Sequence, residues 1–206
     1  MLTLHDSPRS LNCYKVRLLL ALLGVAHRRV FVDLRKGDHR APAFLALNPF
    51  GQIPVLVADG LVLRDSQAIL VWLARTHGGT AASAGGDDRW MPRAPDDEAV
   101  VNAWLAAAAF ELRLGPYDAR LKKLAPALCV NAAAVVENSA RALALYEQRL
   151  RDRDWVALAH PTVADVAAFP ALAHAGEGDI DLAPYPAIRA WLDRMRKLPG
   201  WVALDG

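Results

Sequence analysis

An α/β domain over residues 1–78, a linker over 79–97 and an all-helical domain over 98–206 form the architecture that the sequence predicts. Three observations carry it. Up to Gly78, strand-like and helix-like runs take turns in the order strand, helix, strand, helix, hairpin, helix, which describes a mixed sheet with helices on its faces. The stretch "GGTAASAGGDDRWMPRAPDD" then loses periodicity and fills with Gly, Pro and small polar residues. Beyond it the patterns are helical and rich in Ala and Leu, with no internal repeat.

The elements follow in order. "LTLH" is apolar at alternate positions and closed by Asp6 and Pro8, a short strand. From Asn12 to Leu23 the residues Val16, Leu19, Leu20 and Leu23 recur on one helical face, and Gly24 ends the helix. "RRVFVDL" alternates like a strand, and "APAFLALN" is a short helix opening near Pro42. "IPVLVADGLVLRD" reads as a hairpin around Ala58-Asp59-Gly60. A helix follows, capped by Asp65 or Ser66 and closed by Gly78. Trp90 in the linker is expected to be a packed anchor. In the second domain, one helix runs from about Glu98 to Leu114, where Gly115-Pro116 stops it. Another spans about 130–151, with Val136, Ala140, Leu143 and Leu150 on one side. Thr162 and Asp165 form a capping box, and Ile188, Trp191, Leu192 and Met195 mark the buried face of a helix opening at Pro186.

Composition narrows the function classes. A net charge of +2 on 206 residues gives no field that argues for nucleic acid or an anionic membrane. Two cysteines, Cys13 and Cys129, are too few for a disulfide framework and favour a reducing compartment. The N-terminus lacks a signal-peptide pattern, and runs such as "LLLALLGVA" fall far short of the about 20 residues of a membrane span. A soluble cytoplasmic protein is expected. No phosphate loop, dinucleotide glycine motif, H-E-x-x-H or C-x-x-C is present, and the six histidines are scattered. The expectation is therefore no metal and no cofactor, with chemistry done on a bound peptide or small molecule.

Four stretches offer chemistry. "SPRSLNCYKVR" places Ser10, Asn12 and Cys13 where the free N–H groups of a helix start point outward. In "NPFGQIPVLV", Pro54 opens a strand and holds Ile53 extended, so Ile53 can offer its own N–H and C=O to an extended peptide. A plain loop-to-strand boundary would look the same. In "DSQAIL" a helix start can take a carboxylate, Ser66 adds a hydroxyl and Asp65 could accept from an ammonium; an ordinary cap is the plainer role. "HRRVFVDLRKGDHR" carries Arg28, Arg29, Arg35, Lys36, His39 and Arg40, either a solvated face or a cationic rim.

These motifs, with "P-T-V-A-D-V" in the second half, resemble the cytosolic glutathione transferases over nearly the whole chain, most closely bacterial serine- or asparagine-dependent members. The resemblance implies a thioredoxin-like N-terminal domain of βαβαββα order and an all-helical second domain. It implies a cis peptide bond before Pro54, the Ile53 backbone pairing with the cysteinyl part of glutathione, and Asp65 and Ser66 holding the γ-glutamyl end. It places Gln52 near the ligand, and one of Lys36, His39 or Arg40 near the glycyl carboxylate. Members of this kind often carry Glu where Asp65 stands, one methylene longer. Glutathione is then a co-substrate, and its partner an electrophile, a peroxide or a disulfide. A second-substrate wall is expected from Trp104, Phe110, Arg113 and Tyr117, and a homodimer in which Phe50 is a candidate contact.

A glutathione thiol must become a thiolate, which helix starts and hydrogen-bond donors favour. Ser10 Oγ–H and the Asn12 amide are such donors, and Ser10 is the expected catalytic residue with Asn12 assisting. Cys13, one turn into the helix, is expected to be a small buried hydrophobe, and Tyr14 lies deeper still. If Cys13 were exposed and acidic, the chain would instead be a thiol–disulfide reductase. A non-catalytic member that binds a partner or apolar ligands is the third reading.

Overall fold

The computed structural model describes residues 1–78 and 88–205. The described residues fall into two units, one within Met1–Asp87 and Pro199–Gly206, the other spanning Asp88–Leu198.

The first unit is built on strand β1 (Leu2–Asp6), helix α1 (Leu11–Leu22), β2 (His27–Phe31), α2 (Pro42–Leu47), β3 (Val55–Ala58), β4 (Leu61–Arg64) and α3 (Ser66–His77). The sheet order is β2-β1-β3-β4. β1 runs parallel to β2 and antiparallel to β3, and β3 and β4 form the hairpin expected around Asp59-Gly60. This is the thioredoxin-like βαβαββα arrangement with a mixed sheet. Leu4, Val55 and Leu56 in the central strands are fully buried. Val55 packs with Val32 and with Phe44 of α2, and strand alternation turns Leu4 and Leu56 to the opposite face. α1 and α3 pack on each other and bury Val16, Leu19, Leu20, Ile69, Leu70 and Leu73. The anticipated apolar face of α1 is buried, but so are Lys15 and Arg17, which the periodicity leaves on its polar side.

The second unit contains α4 (Pro95–Leu112), a π-helical turn Arg113–Tyr117, α5 (Asp118–Leu124), α6 (Val135–Leu150), α7 (Val163–Ala173) and α8 (Pro186–Arg196). Gly115 kinks the chain rather than stopping it, and α5 continues beyond, an element the sequence reading lacked. A Cβ on Gly115 would lie 2.9 Å from the Asn138 carbonyl, so only glycine lets the turn approach α6 this closely. Pro95 takes the first turn of α4, three residues ahead of the expected Glu98 start, because its missing N–H costs nothing there. Residues 88–94 of the expected linker include a short 3-10 turn with Trp90 buried, while 79–87 lie outside the described residues.

Two expectations for α6 are corrected. It begins at Val135 rather than near 130, because Asp118 accepts the N–H groups of Val130 and Asn131 and holds them in a loop. Its buried side is Val135, Ser139, Ala142, Leu143, Tyr146 and Leu150, whereas Val136 is 77% exposed. Leu143 and Leu150 are buried as expected, but successive helical residues lie about 100° apart, so Val135 and Ser139 share their side and Val136 and Ala140 do not. α7 is buried from Val163 to Leu172, as suits a helix that is apolar all round. Among the described residues, no helix is long and apolar enough to cross a membrane.

Asp165 organises this unit. It completes the capping box with Thr162, accepting from the Thr162 N–H at 2.9 Å, and its other oxygen accepts from Val156 N–H at 2.8 Å and Trp191 Nε1–H at 3.0 Å. The Thr162 hydroxyl donates to the carboxylate as well, so removing the carboxylate leaves four buried donors unpaired, each costing about 1–3 kcal/mol. Asp165→Ala is therefore expected to lower unfolding stability by at least about 4 kcal/mol in a denaturant titration, and Asp165→Asn by clearly less because its amide oxygen still accepts.

Candidate active site

Strand register gathers the four sequence motifs at one end of the sheet. His5 pairs with Val55, Val55 pairs with Arg64, and Asp6 pairs with Phe31. The segments that leave or enter the sheet there are 7–10 after β1, 53–54 before β3, 65–66 after β4 and 32–40 after β2.

Ser10 is the N-cap of α1, with extended backbone, and its Oγ accepts the Cys13 N–H at 3.3 Å. Accepting that bond leaves the hydroxyl hydrogen free to donate elsewhere. Asn12 is half-buried, and its side chain makes no hydrogen bond among the described residues. Cys13 is fully buried, and burial first, with the Asp6 carboxylate second, pushes its thiol up to about 12. A thiol in that state is not a nucleophile at neutral pH. Tyr14 is buried as well, and its hydroxyl donates to the Val202 carbonyl at 2.7 Å.

The Ile53–Pro54 peptide is cis. Asn48 shapes the loop before it. Its side chain is buried, donates to the Gln52 carbonyl at 2.7 Å and accepts from the Phe50 N–H at 3.1 Å. Gly51 sits at φ +59°, and a Cβ there would lie 3.1 Å from the His39 carbonyl, so this turn needs glycine. Gln52 is exposed, and the N–H and C=O of Ile53 make no backbone hydrogen bond among the described residues.

At the start of α3 the two candidates for the cap separate. Asp65 caps: its Oδ1 accepts from the N–H of Gln67 at 2.9 Å and of Ala68 at 3.1 Å. Ser66 does not cap; it is 5% exposed and its Oγ donates to Gln67 Oε1 at 3.2 Å. Asp65 has φ 70° and ψ 125°, a conformation that costs a non-glycine residue about 1–3 kcal/mol and concentrates at functional sites. Its carboxylate is exposed, with Oδ2 without a protein partner among the described residues.

The basic segment is less organised. Lys36 is 80% exposed, with Nζ 4.0 Å from Asp33. His39 is half-buried with Nδ1 unpartnered among the described residues, and Arg40 is exposed. Phe50 is 60% exposed, with the Arg64 guanidinium 4.0 Å above its ring.

Within the helical unit, Trp104 packs edge-on against Tyr146 at 5.1 Å and lies beneath Arg149. Arg113 pairs with Asp118, donates to the Leu128 carbonyl and lies 5.0 Å over the Tyr117 ring. Phe110 is exposed. The structure thus brings Arg113 and Tyr117 together and commits Trp104 to a different contact.

Sequence reasoning missed the buried pair that frames Ser10. Arg17 Nη1 donates to Asp6 Oδ1 at 2.6 Å, and both side chains are buried. The one available signal was an arginine inside the otherwise apolar run "VRLLLALL".

Residues 9–76 match the family described as Glutathione S-transferase, N-terminal domain, and residues 107–199 match Glutathione S-transferase, C-terminal domain. The chain is 34% identical to maleylacetoacetate isomerase of Rhizobium meliloti, over 93% of this chain and 89% of that protein. It is 34% identical to glutathione S-transferase 3 of Zea mays, over 97% and 91%. A possible glutathione S-transferase from Rhodopseudomonas palustris has a TM-score of 0.87 to this fold, at 33% identity, over 100% of this chain and 90% of that one.

The two free cysteines provide a test of the burial pattern. An aromatic disulfide reagent should titrate the half-buried Cys129 in the native protein and Cys13 only after unfolding. Rapid native labelling of Cys13 would contradict the buried, protonated thiol described above.

Proposed function

The chain belongs to the glutathione S-transferase family, and we propose that it activates the thiol of bound glutathione with Ser10, assisted by Asn12, for attack on an electrophile. The observation that supports this most is the register that brings Ser10, Ile53-Pro54 and Asp65-Ser66 to one end of the sheet. In this reading Ile53 lends its backbone groups to the cysteinyl part of the peptide, with Gln52 beside it. The γ-glutamyl carboxylate meets the Ser66 hydroxyl and the N-terminus of α3, while the free oxygen of Asp65 takes the ammonium. Lys36 or His39 serves the glycyl carboxylate. Phe110, Arg113 and Tyr117 offer apolar and cationic contacts for a second substrate. The serine- or asparagine-dependent bacterial type is the subclass that these assignments fit.

The energetics are in scale. Each unit of thiol pKa depression requires about 1.4 kcal/mol of preference for the anion. A hydrogen bond to a charged group contributes about 1.5–3 kcal/mol, so the Ser10 hydroxyl alone accounts for about one to two units. The buried Cys13 thiol, pushed up to about 12, speaks against a reductase built on it.

The named isomerase among the relatives supports a second reading. The same thiolate can add to an activated C=C, forming an S–C bond as the π electrons move onto the activating carbonyl. After rotation those electrons return and expel the thiolate, so glutathione is regenerated. Conjugation consumes one thiol per product and isomerisation consumes none. Incubating the protein with limiting glutathione and either a chlorodinitroarene or a maleyl ketoacid separates the two, by counting product formed per thiol lost.

Calorimetry should show saturable glutathione binding. Ser10→Ala is expected to raise the pKa of the bound thiol by about one to two units, read from thiolate absorbance against pH, with Cys13→Ala leaving it near the native value. Because Ser66 is not a cap, Ser66→Ala should weaken glutathione binding about ten- to a hundredfold while thermal stability holds. No saturable binding at millimolar glutathione would overturn the proposal and favour a non-catalytic binding role.

A homodimer completes the reading. Phe50 is exposed on its turn, and Leu61 and Val62 are exposed on the edge strand β4. Light scattering at micromolar concentration is expected to give twice the chain mass, and Phe50→Ala to shift the protein toward monomer. A monomeric mass for the native chain would refute the dimer.

A further inference from the structure

Arg17 ties together three parts of the first unit that are far apart in sequence. Its Nη1 donates to Asp6 Oδ1 at 2.6 Å, and its Nη2 donates to the carbonyls of Pro8 at 2.8 Å and Leu204 at 2.7 Å. The second Asp6 oxygen accepts from Arg29 of β2 at 2.8 Å. Arg17 lies seven residues after Ser10, on the same helical face as both Ser10 and Tyr14. Tyr14 holds the tail as well, through the Val202 carbonyl. Along this face of α1, then, the segment from Val202 to Leu204 is clamped by two side chains of the helix that Ser10 caps.

The Pro8 carbonyl is the contact that matters for chemistry. It precedes Ser10 by two residues, and a backbone bond from the Ser10 N–H to Ser7 O at 3.0 Å holds Ser10 from the loop side. Proline supplies no N–H of its own, so at Pro8 the backbone can be held only through the carbonyl that the guanidinium takes. We propose that Arg17, Asp6 and the tail segment 202–204 are a positioning unit for Ser10: they fix loop 7–10 so that the serine hydroxyl meets the glutathione sulfur, and they thereby set the acidity of the bound thiol. The proposal rests on the reading of Ser10 as the thiolate donor. These groups act through Ser10 and are positioning residues.

Two physical arguments carry it. A hydrogen bond loses most of its strength below about 120°, so a small swing of the loop removes the donor from the sulfur. The second argument is electrostatic. The buried Asp6 carboxylate opposes any anion at the helix start, as the raised Cys13 thiol registers after the larger effect of burial, and Arg17 acts in the opposite direction. The charged groups facing Asp6 are Arg17 from α1 and Arg29 from β2. Lysine at position 17 would keep the charge, but its single nitrogen lacks the planar fork that spans Asp6, Pro8 and Leu204 at once.

The test uses the native chain, Arg17→Lys, and a chain ending at Leu198. Amide exchange without ligand reads the loop, thiolate absorbance with bound glutathione reads acidity, and steady-state kinetics separate kcat from KM. In both variants the Ser10 and Cys13 amides should exchange about tenfold faster or more. The bound thiol should rise by about one pKa unit, so kcat near pH 6.5 falls about tenfold and recovers at higher pH. The KM for glutathione should change less than about threefold, because Ile53, Asp65 and Ser66 are untouched. Unchanged exchange in Arg17→Lys overturns the proposal, and so does a loss of kcat that is the same at every pH. If the native chain fails to bind glutathione, the functional reading falls, while the exchange measurement still decides whether Arg17 and the tail fix the loop.

Discussion

The buried ion pair between Arg17 and Asp6 is the constraint on which the rest of the first unit depends. Taking two charges out of water costs several kcal/mol per ion, and mutual attraction alone rarely repays it. Here the remaining valences are nearly filled: Asp6 takes Arg17 and Arg29, and Arg17 adds two backbone carbonyls. Only Arg17 Nε stays without a partner among the described residues. Such a pair contributes less to stability than an apolar core would, but it admits one arrangement of its partners. Those partners are the end of β1, the loop before α1 and the tail, so the geometry of the helix start is determined by electrostatics rather than by packing alone.

The remaining site groups are held by backbone devices at the same end of the sheet. Asn48 closes its loop from both sides, and Asp65 accepts two N–H groups of α3 with one oxygen. The cap thereby fixes a carboxylate whose other oxygen faces outward, so one residue both starts a helix and presents a charge. Its left-handed backbone is the strain that this double role carries. Each device is local, yet the strand register makes them converge.

Much of this was legible in the sequence because it was encoded locally. The hairpin at Asp59-Gly60, the capping box at Thr162 and Asp165, and the buried face Ile188-Trp191-Leu192-Met195 are patterns within a dozen residues. What stayed hidden depends on distant partners. The start of α6 moved because Asp118 captures two N–H groups twelve and thirteen residues ahead. Periodicity could not decide whether Asp65 or Ser66 caps α3, since both residue types serve. Trp104 was readable as an aromatic on a helix, but its face-to-edge commitment to Tyr146 comes from another helix. Arg17 was invisible because its three partners lie up to 187 residues away.

That last separation bears on how the chain is made. During synthesis α1 emerges early, and an N-terminal unit ordinarily folds while the rest is still being translated. Here the carbonyl that closes the guanidinium cluster leaves the ribosome 187 residues after Arg17. Until then Arg17 lacks one of its three partners, and Leu204 is absent from the core it later joins. The first unit is therefore completed only once the helical unit inserted between its two pieces has been synthesised.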